Sequence, residues 1–262
     1  MFIETRGSGP PLVMIHGWAM HGGVFAPLFA SLEPHFTLHL IDLPGHGYSR
    51  DAATPLSLEA VSGELLERLP PALWMGWSLG GLFALQAALQ SPDAVRGLIM
   101  QCATPRFVRG DVDSGDAWKY GASAEIFRDF GEGLRTDYRA TLDRFVALEA
   151  FGSDDARHAL RTLRGDLFAR GEPAAHVLAD GLGLLEYADL RERLPSLRVP
   201  SLWLAGRRDR LVDPRAMQAA VAMTPGATFA QIEHAGHAPF LTHADEVARQ
   251  IRAFSDALER RT

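Results

Sequence analysis

The stretch WMGWSLGG, residues Trp74–Gly81, places one serine between bulky apolar residues and a pair of glycines. Five of these residues, Gly76 to Gly80, fit the pattern G-x-S-x-G, in which a serine lies on a cramped turn between a strand and a helix. The two glycines let the backbone pass close to its neighbours, so the hydroxyl of Ser78 is held out at the strand end. The pattern indicates a nucleophilic serine, but a glycine-rich turn that happens to contain serine has the same spacing, and the rest of the chain has to distinguish the two.

Short apolar runs on both sides of this stretch predict a mostly parallel β-sheet. Segments with helical spacing of apolar residues separate them, which is typical of the α/β class. In an open parallel sheet the chemistry gathers beyond the carboxyl ends of the strands, so the polar loops after these runs are where functional residues are expected. The strand candidates are Pro11–Ile15, Phe36–Ile41, Leu73–Gly76, Val95–Gln101, Ser201–Ala205 and Thr228–Ile232.

The pattern of apolar residues changes between about Pro105 and Leu194, where strand-like runs disappear. Segments such as Tyr138–Phe151 and Asp154–Phe168 instead repeat apolar residues and arginines at helical spacing. The sheet pattern resumes after this region. We therefore predict an α/β core formed by residues 1–107 and 195–262, with a helical cap of residues 108–194 inserted into it.

Composition limits the classes of function. A chain of 262 residues, 47% of them hydrophobic, can bury one large core. Its formal net charge of -6 argues against a general nucleic-acid binder. The single cysteine, Cys102, excludes an internal disulfide, and no Cys/His cluster has structural-zinc spacing. The N-terminal segment lacks the pattern of a signal peptide and no run is long enough to span a bilayer, so we expect a cytoplasmic protein.

The acid partner of the serine is predicted in the loop after the fifth strand candidate. A serine hydroxyl is a poor nucleophile, so acyl transfer needs a base, a group that orients the base and donors for the oxyanion. The loop offers Asp209 and Asp213. Asp209 is favoured by its distance beyond the strand, whereas Asp213 precedes Pro214 and has the position of a helix cap. Asp209 also has an alternative interpretation as a loop residue that pairs with Arg207 or Arg210.

The base is predicted in the loop after the last strand candidate, which contains His234 and His237. A third histidine, His243, lies at the start of an apparent helix and is predicted at the surface. A lone histidine is usually structural, but His237 follows the last strand and accompanies a matching serine and acid. The chain order Ser78, Asp209, His237 is the Ser, acid, His order of hydrolases that carry their serine in this turn.

The oxyanion site is predicted at the turn after the first apolar strand candidate, His16-Gly17-Trp18. A turn there would bring the main-chain N–H of Trp18 towards the serine, where it would pair with the N–H of Leu79. The Trp18 indole then either faces the substrate or packs beneath the cap.

A further loop, at 42–49, offers Asp42 and His46. Its proline and glycines are sufficiently explained by a tight turn, so we predict a structural role for it. Cys102 follows an apolar strand and is predicted to be a buried small hydrophobe.

Five segments, HGW, DLPGHGYS, GWSLGG, GRRDRLV and HAGHAPF, resemble the α/β-hydrolase superfamily in the order that the superfamily has, across almost the whole chain. The segments HGW, HFTLHLIDLPGHGYS, GWSLGG, RFVALEAFG and HAPF are more closely similar to the pimeloyl-[acyl-carrier protein] methyl ester esterases of biotin synthesis. This resemblance implies a Ser78, Asp209 and His237 triad, no metal or organic cofactor, and a substrate ester on acyl carrier protein. We expect the enzyme to be a monomer. By the same resemblance the acyl site comprises the triad residues Ser78 and His237 together with Trp18, Leu79 and the cap segment Phe145, Val146, Ala147, Leu148 and Glu149.

Arginines of the cap are candidates for docking an acidic carrier protein. Arg157, Arg161 and Arg164 recur at helical spacing, and Arg139 and Arg144 lie on the preceding segment. Residues 108–194 contain 12 Lys and Arg against 17 Asp and Glu, so only a local patch could serve. A solvated helix face, with aspartates paired to the arginines, is the alternative interpretation of the same spacing.

Three other functions share most of these features. A carboxylesterase for small free esters would have the same triad, and so would a hydrolase that cleaves a carbon–carbon bond in a ring-cleavage product. A ligand receptor or inactive scaffold with this fold would retain the triad without turnover. A dehalogenase is disfavoured because Ser78 stands where that chemistry requires an aspartate nucleophile.

Overall fold

The computed structural model describes residues 1–111, 116, 118–152 and 154–260, and within them the chain forms a seven-stranded sheet. The strand order is β1-β3-β2-β4-β5-β6-β7, with β1 antiparallel to β3 and the other neighbours parallel. The strands are β1 Phe2–Gly7, β2 Pro11–Ile15, β3 Thr37–Asp42, β4 Ala72–Trp77, β5 Val95–Gln101, β6 Ser201–Gly206 and β7 Ala227–Ile232. The α/β class and all six strand candidates are confirmed. The prediction missed β1, because this edge strand is mostly exposed and has no apolar run.

Helices flank the sheet, and they are formed by the segments in which apolar residues recur at helical spacing. None of the helices in the described part of the chain combines the length and apolarity needed to cross a bilayer. The helices are α1 Phe29–Leu32, α2 Leu58–Arg68, α3 Leu79–Gln90, α4 Ala124–Thr136, α5 Tyr138–Ala150, α6 Ala156–Asp166, α7 Ala175–Tyr187, α8 Pro214–Met223, α9 Pro239–Thr242 and α10 Ala244–Glu259, with short 3-10 helices at Gly22–Leu28, Gly47–Ser49 and Arg191–Ser196.

The core lies around the central strands and α3. All six residues of β4 and all six of β6 are buried, as expected for parallel strands covered on both faces. Helix α3 packs against β4 and β5 and is apolar around most of its circumference, which is typical of a helix inside the core. The carboxyl ends of these strands are therefore held at one rigid edge, and the site is built there.

Four helices, α4 to α7, lie between β5 and β6 in the chain. Helix α4 packs against α5 and α7, and α5 packs against α6. The helical character predicted for 138–151 and 154–168 agrees with α5 and α6. The boundaries 107/108 and 194/195 stay a prediction, and residues 112–115, 117 and 153 of the predicted cap lie outside the described residues.

Polar contacts tie this helical segment to the sheet. The guanidinium of Arg170 pairs with the buried carboxylate of Asp42, at 3.1 Å, and with Glu4 on β1. The indole N–H of Trp18 donates to the carbonyl oxygen of Leu178 on α7, at 2.8 Å. Because Arg170 and the Asp42 carboxylate are largely withdrawn from water, their attraction is screened less than that of a surface pair. These contacts hold the helices over the carboxyl ends of the strands.

The turn that carries Ser78 is as tight as its sequence pattern predicts. Ser78 has φ +54° and ψ -121°, a conformation that L-residues rarely adopt. A Cβ atom added to Gly76 would lie 2.3 Å from the carbonyl oxygen of Gly80, and one added to Gly80 would lie 2.2 Å from that of Ile15. Both glycines are required by close backbone approach, which explains the spacing of the pattern.

We expect Gly80→Ala to lower the free energy of unfolding by about 3 kcal/mol or more, since overpacking against backbone atoms forces the main chain to move. Gly63 on α2 is the matched control, because an added Cβ there meets no described atom within 4 Å. Gly63→Ala should raise the free energy of unfolding by roughly 0.5–1 kcal/mol, the helix-propensity difference. Urea denaturation of both variants checks this, and equal effects at the two sites would contradict it.

Candidate active site

A buried hydrogen-bonded pair, Asp209 and His237, lies beyond β6 and β7. Nδ1 of His237 is 2.8 Å from Oδ2 of Asp209, and each side chain is 1% exposed. The other oxygen, Oδ1, accepts the main-chain N–H groups of Leu211 and Val212 at 2.8 and 2.9 Å. These bonds fix the carboxylate towards the imidazole and stabilise its charge. The carboxylate accepts a hydrogen bond from the N–H at Nδ1, so the tautomer whose Nε2 carries no proton is favoured.

Ser78 stands at the sharp turn between β4 and α3, and the neighbouring Trp77 joins this turn to the histidine loop. The indole N–H of Trp77 donates to the carbonyl oxygen of His237 at 2.8 Å, and the two rings lie 5.7 Å apart between centroids. Nε2 of His237 is buried and has no hydrogen-bond partner among the described residues. Catalytic hydrogen bonds are often long before substrate binds, and a base with an unoccupied Nε2 suits proton transfer.

The other candidates for acid and base lie elsewhere. Asp213 caps α8 by accepting the N–H of Arg215 at 2.8 Å, and it also pairs with the Arg215 side chain. The side chain of His234 is 61% exposed and lies 3.4 Å from Asp154. His243 contacts the Thr242 hydroxyl at the junction of α9 and α10. The structure therefore brings Asp209, and not Asp213, to His237.

The predicted oxyanion turn lies against the serine. A Cβ added to Gly17 would be 3.2 Å from Cβ of Ser78. Leu79 begins α3, and the first N–H groups of a helix have no partner within the helix. The Trp18 indole packs beneath the cap, 4.6 Å from the Phe145 ring between centroids and bonded to α7. The main-chain donors of Trp18 and Leu79 remain predicted oxyanion donors.

An apolar cavity opens beside Ser78, between the core loops and the cap. Its volume is about 50 Å³. Nearly all of its lining side chains are apolar, so it suits a hydrocarbon chain better than a charged ligand. The lining residues are Ser78, Phe107, Ala122, Ile126, Phe127, Phe130, Phe145, Leu182, Leu185, Arg210 and Leu211.

The cap segment at 145–149 is divided between two faces of α5. Phe145 lines the cavity, and Val146 and Glu149 are buried. Ala147 and Leu148 are exposed, so the structure does not bring them to the cavity. The reason is helical periodicity: at about 100° per residue, positions 145, 146, 149 and 150 fall on one side of α5, and 147 and 148 fall on the other.

Asp42 and His46 have structural partners, in agreement with the predicted tight turn. Asp42 accepts the main-chain N–H groups of Gly22 and Tyr48 at 2.7 and 2.9 Å. Nδ1 of His46 lies 2.9 Å from the carbonyl oxygen of Pro44. Burial lowers the pKa of His46 to about 4, so this imidazole is uncharged at neutral pH. Neither residue lines the cavity beside Ser78.

Cys102 is buried, as predicted, and its sulfur lies close to the acid and base. Ligand atoms of Cys102, Asp209 and His237 lie within 4.8 Å of one another, the spacing that a metal site would have. Burial raises the pKa of the Cys102 thiol well above its usual value, and the charge of Asp209 adds to this. Oδ2 of Asp209 and Nδ1 of His237 are already engaged with each other, so this pair is arranged for proton transfer.

The predicted docking arginines are exposed on α5 and α6. Arg164 makes a bidentate pair with Asp143 at 2.5 and 2.7 Å, and Arg139 pairs with Glu172. These two contacts agree with the alternative of a solvated, paired face. The other three are less neutralised: Arg144 lies 5.0 Å from the centroid of the Phe130 ring, Arg161 contacts His158, and Arg157 makes no ion pair within the described ranges.

Sequence reasoning missed the anchoring role of Trp77 and most of the cavity wall. The aromatic residue at the first variable position of G-x-S-x-G was a usable signal for Trp77, because a large side chain there has to pack against a neighbouring loop. The residues Phe107, Ile126 and Phe127 carry no local pattern that distinguishes them from ordinary apolar positions. Only the tertiary structure, which brings these residues to one cavity with Ser78, identifies them as lining residues.

Comparison with known proteins agrees with this geometry. Residues 10–244 match the family described as alpha/beta hydrolase fold. The chain is 56% identical over 258 residues to the pimeloyl-[acyl-carrier protein] methyl ester esterase of Stenotrophomonas maltophilia (strain K279a), covering 98% of this chain and 97% of that one. It is 55% identical to the protein of the same name from Xanthomonas campestris pv. campestris (strain B100), covering 98% and 100%.

Among solved structures, an esterase (EaEST) from Exiguobacterium antarcticum superposes with a TM-score of 0.84 at 22% identity, covering 97% of this chain and 94% of that one. This likeness shows the fold. The chain therefore belongs to the α/β-hydrolase fold family, and its sequence groups it with the pimeloyl-[acyl-carrier protein] methyl ester esterases of that family.

Proposed function

We propose that this protein is a serine carboxylesterase that hydrolyses the methyl ester of pimeloyl-[acyl-carrier protein] to the free acid and methanol, as a step of biotin biosynthesis. The observation that carries the chemistry is the buried Asp209–His237 pair, with Nδ1 and Oδ2 at 2.8 Å, next to the serine turn and an apolar cavity. The choice of substrate rests on near-full-length similarity to esterases of that name.

In the first half of the proposed reaction, Ser78 attacks the ester carbonyl while Nε2 of His237 takes the hydroxyl proton. Asp209 stabilises the imidazolium that forms and holds its orientation through Nδ1. The N–H groups of Trp18 and Leu79 bind the oxyanion, where preorganised donors are most effective. His237 then returns the proton to the leaving methoxide, and methanol departs from the acyl-enzyme.

In the second half, water attacks the acyl-enzyme and His237 acts as base a second time. The tetrahedral intermediate collapses, the proton returns to the oxygen of Ser78, and the free carboxylic acid is released. This chemistry uses only side chains and main-chain donors. The apolar wall formed by Phe130 and Phe145 would bind the acyl chain by excluding water from it.

A panel of methyl esters of varied acyl length tests the substrate. Each ester is assayed free and attached to acyl carrier protein, and kcat/KM is compared within each pair. We expect the highest kcat/KM for the pimeloyl ester on the carrier, because the carrier adds binding energy outside the cavity. Equal kcat/KM values for free and carrier-bound esters would identify a general carboxylesterase of small esters instead. Failure to hydrolyse any ester would favour a receptor without turnover.

We place carrier docking at the arginine face of the cap, defined by Arg144, Arg157 and Arg161 with Arg139 and Arg164 at its edges. An acidic carrier would meet guanidinium groups that internal carboxylates leave only partly neutralised. The contact between Arg144 and Phe130 supports this placement, since Phe130 also lines the cavity beside Ser78. The acyl chain of a carrier bound there would have a short path to the serine.

Reversing Arg157 and Arg161 to glutamate should lower kcat/KM for the carrier-bound ester by roughly tenfold or more at low salt, with a smaller loss at high salt as charges are screened. Turnover of a small free ester should change little, because it needs only the triad and cavity. Arg249→Glu is the matched control, since Arg249 is an exposed arginine on α10 paired with Glu246. Equal losses on both substrates would instead indicate a damaged cap, and no loss on either would exclude these residues from docking.

We infer that the enzyme works in the cytoplasm as a monomer, without nucleic acid and without a membrane. The net charge of -6 supports the absence of nucleic acid as a partner. Sedimentation of the purified protein tests the monomeric state, and a concentration-dependent dimer would contradict it.

A further inference from the structure

Glu149 is a buried carboxyl group that the proposed reaction does not use. It lies in the last turn of α5, is 1% exposed, and neither of its oxygens has a hydrogen-bond partner among the described residues. Burying an ionised carboxylate without a partner is far costlier than burying the neutral acid. The environment therefore favours the protonated carboxyl group.

The position of Glu149 connects it with the acid and base. It follows Phe145 by one helical turn on the same buried face, and Phe145 lines the cavity beside Ser78. Just after α5, a Cβ added to Gly152 would lie 2.3 Å from the carbonyl oxygen of Arg208. The end of α5 is thus pressed against the loop that carries Asp209.

The charged groups around α5 leave Asp209 as the one that acts on Glu149. Burial raises the pKa of Glu149 well above its usual 4.5, and the charge of Asp209 raises it further. No basic group in the described part of the chain opposes this shift. The other titratable groups on the packed helices α4 and α6 are Glu125, Arg128, Asp129, Glu132, Arg135, Arg157, His158, Arg161, Arg164 and Asp166, and those at the adjoining loops and strand end are Cys102, Asp154, Arg208, Arg210, His234 and His237.

We propose that Glu149 is a positioning residue that works as the uncharged acid, and that its ionisation disables the site at alkaline pH. In the neutral form it fills the space between α5 and the Asp209 loop without adding charge. Loss of its proton would place a second negative charge near Asp209, whose own charge already disfavours ionisation of Glu149. Like-charge repulsion and hydration of the new carboxylate would then move α5 or the loop and disturb the bond between Asp209 and His237.

The first test is the pH profile of kcat/KM for a small free ester, which avoids carrier docking. The protein should lose activity along a one-proton limb at alkaline pH. In Glu149→Gln, an uncharged analogue of the acid, the profile normalised to its maximum should lack that limb. Glu132→Gln is the control, since Glu132 is an exposed carboxylate on the neighbouring helix α4, and it should keep the limb. A limb that persists unchanged in Glu149→Gln overturns the proposal, as does a flat parent profile to about pH 10, beyond documented values for buried glutamic acids.

A comparison of two variants shows whether the site needs the shape and volume of the uncharged Glu149 side chain. At neutral pH, kcat/KM of Glu149→Gln, which keeps the volume of the side chain, should exceed that of Glu149→Ala, which leaves a cavity, by roughly tenfold or more. If Gln and Ala lose activity equally, the hydrogen-bonding shape of the uncharged acid is not what the site needs.

The second test measures stability and not ester turnover. It therefore distinguishes a failure of the Glu149 proposal from a failure of the proposed esterase function. The proton on Glu149 is held more tightly in the folded chain than in the unfolded chain, so the stability it contributes is fully present below about pH 4.5 and is lost as pH rises towards the folded-state pKa. Over that window, the unfolding equilibrium constant of the parent should grow relative to that of Glu149→Gln by up to tenfold per pH unit. A ratio that stays constant with pH would show that Glu149 is not protonated in the folded state and would overturn the proposal.

Discussion

Ser78→Ala is expected to reduce ester turnover by on the order of a thousandfold to a millionfold, because it removes the proposed nucleophile of the acyl-enzyme. Residual hydrolysis would come from the oxyanion donors and from binding alone. The measurement is kcat for a methyl ester under saturating substrate. Turnover near the parent rate would show that Ser78 is not the nucleophile.

Two controls keep this result specific. The side chain of Ser78 is buried and small, so thermal unfolding of Ser78→Ala should stay close to that of the parent, and a large loss of stability would leave the activity loss unexplained by chemistry. A serine-directed phosphonate should label Ser78 in the parent and no serine in the variant. His237→Ala should lose comparable activity, and combining it with Ser78→Ala should add little, because groups that act as one unit do not contribute additively.

Asp209→Asn is expected to lower kcat by roughly ten-thousandfold, since the amide removes the charge that stabilises the imidazolium and favours the wrong tautomer of His237. The volume of the side chain is unchanged, so the fold should persist. Asp213→Asn is the matched control in the same loop region, because Asp213 caps α8 and pairs with Arg215. It should cost less than about 1 kcal/mol in stability, as asparagine also caps helices, and little activity.

The two aspartates give opposite expectations, so one comparison decides between them. If Asp213→Asn abolished turnover while Asp209→Asn did not, the acid of the triad would be Asp213. The 2.8 Å hydrogen bond between Asp209 and His237 would then have a structural role and not a catalytic one.

The parts of the fold that could be predicted are those in which residues close together in the chain require a particular backbone geometry. The serine turn was predictable because only glycine allows Gly76 and Gly80 to approach carbonyl oxygens so closely. The strands β2, β4, β5 and β6 were predictable because buried parallel strands read as continuous apolar runs. The edge strand β1 was not, since its pairing with β3 comes from main-chain hydrogen bonds that leave little trace in side-chain composition.

The α/β class, the serine turn, and the two loops that had to supply an acid and a base could be predicted from the amino-acid sequence, because each depends on residues close together in the chain. The tertiary structure decided that Asp209 rather than Asp213 meets His237, that Ala147 and Leu148 face away from the cavity, and that Glu149 is buried without a hydrogen-bond partner in the described structure. These outcomes depend on distances between segments that are 28 to 160 residues apart, such as the bonds from His237 to Asp209 and from Trp77 to His237. Such distances are set by how the cap and loops pack on the sheet, and no local pattern of side chains encodes them.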